Sequence, residues 1–189
     1  MNVYDFDKTI YAGDSTVDFY LYCLKKQPKL IKALPEQISG FVLYKLKRIT
    51  KTQLKERFFS FLKYMSNREI LVHEFWQANQ HKICPWYLRE KKEDDVIISA
   101  SPEFLLQEMT AKLSAGCLIA SEVDLFTGKF YSENCYGSEK RNRFLQKFPD
   151  HNIEKFFSDS ISDAPMAAMA RKAYLVNGPQ IMEWDDNKR

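Results

Sequence analysis

The chain has 189 residues, the length of one domain or of one domain that carries an insert. Its apolar fraction of 45% and charged fraction of 28% are ordinary for a soluble globular protein and exclude a disordered composition. A formal net charge of +3 is too small to imply nucleic-acid binding by itself.

The first half of the chain combines one short strand with a long helical block. A strand is predicted at residues 2–6, and apolar residues recur at three- and four-residue intervals from Asp14 to about Glu90. Either Asp14 or Ser15 suits the N-cap of the first helix, and Thr50 or Thr52 that of a later one.

The second half alternates strands and helices. The predicted strands are VIISAS (96–101), CLIASEV (117–123), IEKFFSDS (153–160) and AYLVNG (173–178). The predicted helices are 103–113, 138–148 and 164–172, and residues 125–136 have the alternation of a β-hairpin around Thr127-Gly128. This order predicts an α/β fold, a Rossmann-like parallel sheet with flanking helices. An all-helical domain of residues 14–90 is inserted after the first strand, between core segments 1–13 and 91–189.

Polar residues stand where the predicted strands end. Asp5 and Asp7 close the first strand, Ser99 lies at the end of the second, and Asp159 ends the fourth. Carboxyl ends of parallel strands meet at one edge of a sheet, so these side chains are expected to gather there. Lys140 begins a helix and Asp163 follows the fourth strand by a few residues.

Two carboxylates that share one face of a strand repel each other, by roughly 4 kcal/mol at about 4 Å and an effective dielectric of ~20. A divalent cation offsets this repulsion, and Mg²⁺ takes one or two carboxylates together with waters and phosphate oxygens. With Lys140, such a cation makes a site for a phosphoryl group.

The segments DFDKT, ISAS, Lys140 in SEKRNRF, and SDSISDAP occur in this order. Together they resemble the four motifs of the haloacid dehalogenase-like superfamily of phosphohydrolases. The helical insert resembles the cap of its phosphoserine phosphatase-like branch. One departure concerns Ala100 and Ser101, since phosphoserine phosphatases usually have glycines after the second-motif serine.

The resemblance implies a Mg²⁺-dependent phosphatase that hydrolyses a phosphomonoester. Asp5 would be the nucleophile that forms an aspartyl-phosphate, and Asp7 the general acid and base. The resemblance assigns catalysis to Asp5, Asp7 and Lys140, substrate binding to Thr9, Ser99, Ala100 and Lys140, and the metal to Asp5, Asp7, Asp159 and Asp163. Within these sets Asp7 would hold the metal by its backbone carbonyl, Thr9 would brace the loop that positions Asp7, and Asp163 would support the metal's water shell or orient Lys140.

Two rival functions stay open at this point. One is a phosphotransferase of the same mechanism, in which an alcohol replaces water. The other is a cationic membrane- or nucleic-acid-binding module that keeps a vestigial site, although the intact acidic set disfavours it.

A basic run extends from Lys25 to Arg68. It contains twelve Lys and Arg residues, and its only acidic residues are Glu36 and Glu56. It is either a solvated face or a surface that attracts an anionic substrate or an anionic lipid surface. The expected partner is therefore a small phosphorylated metabolite, with a lipid-linked phosphate and peripheral membrane contact through this basic cap as further candidates; no nucleic acid is expected.

The cysteines are far apart, without a CxxC pair, and indicate free thiols in a reducing compartment. They are Cys23, Cys84, Cys117 and Cys135. The N-terminus has neither the basic nor the apolar region of a secretory signal, and no run approaches the ~18 apolar residues of a membrane span. A cytoplasmic enzyme is expected.

Overall fold

A computed structural model of the chain describes residues 1–150 and 152–185. The strands are β1 (Asn2–Tyr4), β2 (Val96–Pro102), β3 (Cys117–Ser121), β4 (Ile153–Ser158), β5 (Ala170–Asn177) and β6 (Gln180–Glu183). The α-helices are α1 (Ser15–Lys26), α2 (Leu34–Lys45), α3 (Lys51–Phe58), α4 (Arg68–Asn79), α5 (Pro85–Glu90), α6 (Glu103–Lys112), α7 (Ser138–Lys147) and α8 (Ala164–Ala167). None of the helices in this part of the chain is long and apolar enough to cross a membrane.

The strands form one sheet in the order β3-β2-β1-β4-β5-β6. All neighbours are parallel except β5 and β6, which are antiparallel. β1 lies between β2 and β4, and this places the ends of the three strands beside one another. The predicted α/β fold with a mainly parallel sheet is confirmed.

Both faces of the sheet are covered by an apolar cluster. Neighbouring residues of a strand point to opposite sides, so each strand contributes to both clusters. Tyr4 and Ile97 pack into one apolar cluster with α1, α4 and α6, whereas Val3 and Ile98 pack into a second cluster. The second cluster includes Phe144 of α7. The strands therefore read as nearly continuous apolar runs, as expected for a buried parallel sheet.

Residues 15–90, called the helical insert below, connect β1 to β2. Part of it shares the core of the sheet: Phe19 of α1 packs against Phe75 of α4 and against Phe104 in the first turn of α6. The indole of Trp76 donates a hydrogen bond of 2.6 Å to the carbonyl oxygen of Leu105. By contrast, α2 buries only Gly40 and α3 buries no residue, so these two helices lie outside the shared core.

The predicted caps are present at both helices. The side chain of Asp14 accepts a hydrogen bond from the backbone N–H of Val17, which caps α1. Thr50 and Gln53 form a reciprocal capping box at the start of α3.

The predicted β-hairpin at residues 125–136 is present only in a short form, and its bounds are wrong. One antiparallel bridge joins Val123 to Phe130, and the Tyr131 backbone N–H donates 3.0 Å to the carbonyl oxygen of Glu122 beside it. No ladder extends to residue 136, because other acceptors take part: Glu56 of α3 accepts from the Phe130 backbone N–H at 3.2 Å. This contact fastens the loop to the insert.

Other boundaries also differ from the predictions. The helix expected at 164–172 ends at Ala167, because Ala170, Lys172 and Ala173 pair with β4. The pairing overrides the helix propensity of an alanine-rich stretch. β1 ends at Tyr4 instead of continuing to residue 6, and β6 was not predicted.

The backbone of the loop at Gly128 lies so close to the backbone of Phe59 that a side chain at position 128 is expected to destabilise the fold. Gly128 has φ +74°, and a Cβ built there lies 2.5 Å from the carbonyl oxygen of Phe59. Gly128→Ala is expected to destabilise the protein by about 1–3 kcal/mol, because the loop must move off the insert. Gly178→Ala is the matched control, since Gly178 also has a positive φ of +58° but no atom lies within 4 Å of its Cβ position. Equal denaturant midpoints for the two variants would contradict this account.

Candidate active site

The carboxyl ends of β1, β2 and β4 open onto a cavity of about 480 Å³ beneath the helical insert. Its polar floor includes Asp5, Asp7, Ser99, Ala100, Lys140, Asp159 and Asp163. Its outer wall comes from the insert and is largely apolar, with Val17, Phe41, Leu54 and Phe58 beside Lys51 and Lys55. The cavity thus joins a charged floor to an apolar entrance.

A buried lysine holds the floor together. Lys140, on the first turn of α7, donates 2.7 Å to Asp5 Oδ1 and 2.6 Å to Asp163 Oδ2. Its side chain is 3% exposed. Burial alone would lower the pKa of Lys140, but the attraction of the two carboxylates outweighs it and raises that pKa. The ammonium therefore stays charged in this site.

Asp5 follows β1, and its backbone N–H donates to the carbonyl oxygen of Phe157 in β4. Burial raises the pKa of Asp5 above its usual range, although Lys140 opposes this, while Asp163 adds to it. Asp5 therefore needs positive charge beside it in order to remain ionised.

Asp7 belongs to the tight turn that follows β1, in which the N–H groups of Ile10 and Tyr11 both bond to the carbonyl oxygen of Phe6. Its two carboxylate oxygens accept from the Ser15 backbone N–H at 2.6 Å and from Ser101 Oγ at 2.5 Å. Burial raises the pKa of Asp7, with the charge of Asp14 adding to it, and these hydrogen bonds oppose the shift.

The end of β2 supplies the second side of the floor. Ser99 is buried, and its hydroxyl oxygen accepts from the Ser101 backbone N–H at 3.0 Å. Lys55 reaches in from α3 and donates 2.7 Å to the carbonyl oxygen of Ala100 and 2.9 Å to Asn134 Oδ1. Burial, together with the charge of Lys51, lowers the pKa of Lys55 to about 8.

The oxygen donors of the floor have the chemistry that Mg²⁺ requires. Asp159 is half-buried and lines the same cavity as Asp5. Burial raises the pKa of Asp159, and its interaction with Asp5 opposes that shift. Asp163 Oδ1 is buried and has no hydrogen-bond partner among the described residues. Carboxylates that share one cavity and an orphaned acceptor fit a hard cation that keeps several waters.

The four aspartates expected at the metal are engaged to different degrees. Within residues 1–150 and 152–185, no three His, Cys, Asp or Glu side chains make a metal site by themselves. The carboxylate of Asp7 is engaged by Ser15 and Ser101, Oδ2 of Asp163 by Lys140 and Ser158, and Oδ1 of Asp5 by Lys140. Because the side chain of Asp7 is engaged, its expected contact with a metal through the backbone carbonyl is compatible with this arrangement.

Thr9 is the predicted substrate-binding residue that the structure leaves out of the cavity lining. Its side chain is fully buried because the turn after Asp7 folds back on Phe6. That position suits the bracing of the turn and does not support a direct substrate contact.

Sequence reasoning missed several polar residues of the site, among them Ser101, Ser158 and Lys55. Ser101 could have been found, since residues 99 and 101 of one strand point to the same side. Ser158 donates 2.7 Å to Asp163 Oδ2, and its place at the end of β4 is a comparable signal. Lys55 carried no signal that separates it from the other lysines of the basic run.

A family model for haloacid dehalogenase-like hydrolases matches residues 3–168. The chain belongs to the haloacid dehalogenase-like hydrolase family. The family predicted from the four motifs is therefore confirmed. A search of the curated proteins gives no significant match.

Solved structures show how widely this hydrolase fold is shared. A Bordetella pertussis Tohama I protein with unknown function matches with a TM-score of 0.73 at 17% identity, over 92% of this chain and 87% of that one. A probable phosphoserine phosphatase from Vibrio cholerae matches with a TM-score of 0.65 at 15% identity, over 91% of this chain and 55% of that one. A phosphoserine phosphatase solved as a phospho-aspartyl intermediate analogue matches with a TM-score of 0.60 at 16% identity, over 90% of this chain and 83% of that one. At these identities the likeness shows the fold alone, which this chain shares with structures of phosphoserine phosphatases.

The buried lysine gives a second stability prediction. Lys140→Met keeps the length of the side chain but leaves Asp5 and Asp163 facing each other without a cation. A loss of about 3–5 kcal/mol in the free energy of unfolding is expected in the presence of a chelator. Lys147→Met, on the exposed side of the same helix, is the control and is expected to change stability by less than about 0.5 kcal/mol. Similar denaturation curves for the two variants would refute the role of Lys140 as the counter-ion.

Proposed function

We propose that this hydrolase is a Mg²⁺-dependent phosphatase that hydrolyses a phosphomonoester through an aspartyl-phosphate on Asp5. The observation that supports it is the arrangement of the floor: Asp5 faces the cavity while Lys140 neutralises it at 2.7 Å. A carboxylate placed in this way can attack phosphorus, and the ammonium of Lys140 lowers the repulsion between this carboxylate and the incoming phosphate.

The first step transfers the phosphoryl group to the protein. A carboxylate oxygen of Asp5 forms a bond to phosphorus as the bond to the ester oxygen breaks. Asp7 donates its proton to the leaving oxygen, and the serine hydroxyl and backbone N–H that hold Asp7 keep its carboxyl group in place.

The second step regenerates the enzyme. Asp7, now ionised, removes a proton from a water molecule that attacks phosphorus. The bond between phosphorus and the Asp5 oxygen breaks, and inorganic phosphate and the Asp5 carboxylate are released. Ser99 and the backbone after it hold phosphate oxygens during both steps, because they line the same cavity as Asp5 and Lys140.

The metal is assigned to Asp5, Asp159 and the backbone carbonyl of Asp7. When bound, Mg²⁺ supplies positive charge that stabilises the phosphoryl oxygens. The position of Asp5 and Asp159 in one cavity lining, and the burial that raises the pKa of both, support this assignment.

The helical insert is proposed to act as the cap of this site. The proposed domains are a cap of residues 14–90, which adds the N-cap residue Asp14 to the insert, and a core of residues 1–13 and 91–189. Its apolar wall and its lysines cover the floor, which limits the access of water to a reactive acyl phosphate. The proposed substrate is a small phosphorylated molecule, and the apolar wall also admits a lipid-linked phosphate.

Asp5→Asn tests the nucleophile, because an amide cannot form the acyl phosphate. Hydrolysis of p-nitrophenyl phosphate is expected to fall by roughly 10³-fold or more. Asp150→Asn, at an exposed position away from the cavity, is the control and is expected to retain full activity. Turnover by Asp5→Asn at the wild-type rate would remove Asp5 from this role.

Chelation tests the metal. EDTA is expected to stop hydrolysis and added Mg²⁺ to restore it. Mg²⁺ at about 100 times its Kd is also expected to stabilise the fold by about 2.7 kcal/mol, measured as a rise in melting temperature. Asp159→Asn is expected to lose most of this thermal shift while Asp150→Asn keeps it. Activity that is indifferent to chelator would argue against the metal.

A further inference from the structure

The outer face of helix α2 is apolar and exposed. Leu34, Ile38, Phe41 and Val42 occupy positions i, i+4, i+7 and i+8, which form one stripe on a helix. Ile38, Phe41 and Val42 are 60%, 61% and 52% exposed. We call the stripe formed by these four residues the α2 face.

Folding of the chain does not use this face, because α2 is attached through its polar side. Gly40 is its one buried residue and lies against the side chain of Arg57. Arg57 donates 2.8 Å to Ser39 Oγ, and Lys63 pairs with Glu36 at 3.1 Å. Apolar residues thus point outward and polar ones inward, the reverse of a helix on a core.

Exposed cations flank the α2 face in the sequence, and Lys45 lines a groove along it. They are Lys29, Lys32, Lys45, Lys47 and Arg48, and from position 29 to 48 the one acidic residue is Glu36. Among the described residues, Lys45, Lys47 and Arg48 form no ion pair. An apolar stripe bordered by unpaired cations matches the boundary of a bilayer that contains anionic lipids. Two copies of such a face would bring like charges together, which disfavours self-association.

The α2 face continues into the active-site cavity. A groove of about 260 Å³ runs along it, lined by Gln37, Ile38, Phe41, Val42 and Lys45. Gln37 and Phe41 also line the catalytic cavity. A phosphate on the floor could therefore be attached to an apolar chain that leaves along this groove.

We propose that the α2 face docks on the surface of an anionic membrane, and that the site takes the phosphomonoester of a membrane lipid. The second half of this inference rests on the proposed phosphatase function, whereas the docking itself does not. Docking would place the cavity entrance at the lipid headgroups, so that a substrate enters without leaving the bilayer.

Co-sedimentation with vesicles tests the docking without any turnover. The wild-type protein is expected to bind vesicles of phosphatidylcholine mixed with phosphatidylglycerol, and to bind pure phosphatidylcholine vesicles at least about tenfold more weakly. Ile38→Asn with Val42→Asn is expected to weaken binding to the mixed vesicles about tenfold or more, because two apolar side chains leave the interface. The control, Ile70→Asn with Leu88→Asn, changes two residues that are 58% and 48% exposed on other helices, and is expected to bind as the wild type does.

The charge contribution has its own matched pair. Lys45→Glu with Lys47→Glu is expected to weaken binding to the mixed vesicles by about tenfold or more. Lys147→Glu with Lys172→Glu, at exposed positions on α7 and β5, is expected to change it little. Equal losses for both pairs would mean that net charge, and not the α2 face, attracts the membrane, and would overturn the proposal.

Two activity measurements separate this inference from the proposed function. The Ile38→Asn, Val42→Asn variant is expected to hydrolyse soluble p-nitrophenyl phosphate at the wild-type rate and to lose hydrolysis of phosphatidate in vesicles. Soluble turnover without binding to anionic vesicles would overturn the docking and leave the phosphatase standing. A concentration-dependent dimer that the same variant abolishes would also overturn it, since the occupant of the face would then be a second copy.

Discussion

The buried contact of Lys140 with Asp5 and Asp163 is the constraint on which the site depends. Removing three charges from water costs several kcal/mol for each ion, so the group is tolerated only with close mutual hydrogen bonds. Those bonds fix the end of β1, the first turn of α7 and the segment after β4 relative to one another. An excess of negative charge remains on the floor, and in the proposed mechanism a divalent cation would offset it and so allow a phosphate to approach.

The topology of the sheet delivers these groups with little further adjustment. Because β1 lies between β2 and β4, the ends of all three strands form one edge. Asp7 extends beyond that edge in a tight turn, where Ser15 of the insert and Ser101 of the core hold its two oxygens. The proposed acid is thus positioned jointly by the sheet and by the segment that covers it.

Much of this arrangement could be predicted from the sequence. Three of the four motifs follow strands whose ends the chain direction of a parallel sheet brings to one edge, and the family model confirms the family that the four motifs predict. The misjudged parts depend on contacts that are distant in sequence. Residues 125–136 alternate like a hairpin, but the pairing stops after a single bridge between Val123 and Phe130, and the Phe130 N–H bonds to Glu56 of the insert. Ala170 belongs to a helix-forming stretch and is nevertheless drawn into β5 by its pairing with β4. The packing of α3 decides which lysine of the basic run reaches the cavity, and this packing cannot be predicted from the local sequence pattern.

The unequal contribution of the insert's helices to the core affects how this enzyme can change over evolution. α1 and α4 share their aromatic side chains with the sheet, so a substitution there alters the stability of the catalytic domain as well as the shape of its roof. α2 and α3 bury almost nothing, yet they supply Phe41, Leu54 and Lys55 to the outer wall. Substitutions in α2 and α3 can therefore change substrate selectivity without destabilising the core, and the sequences of relatives are expected to diverge first in these two helices.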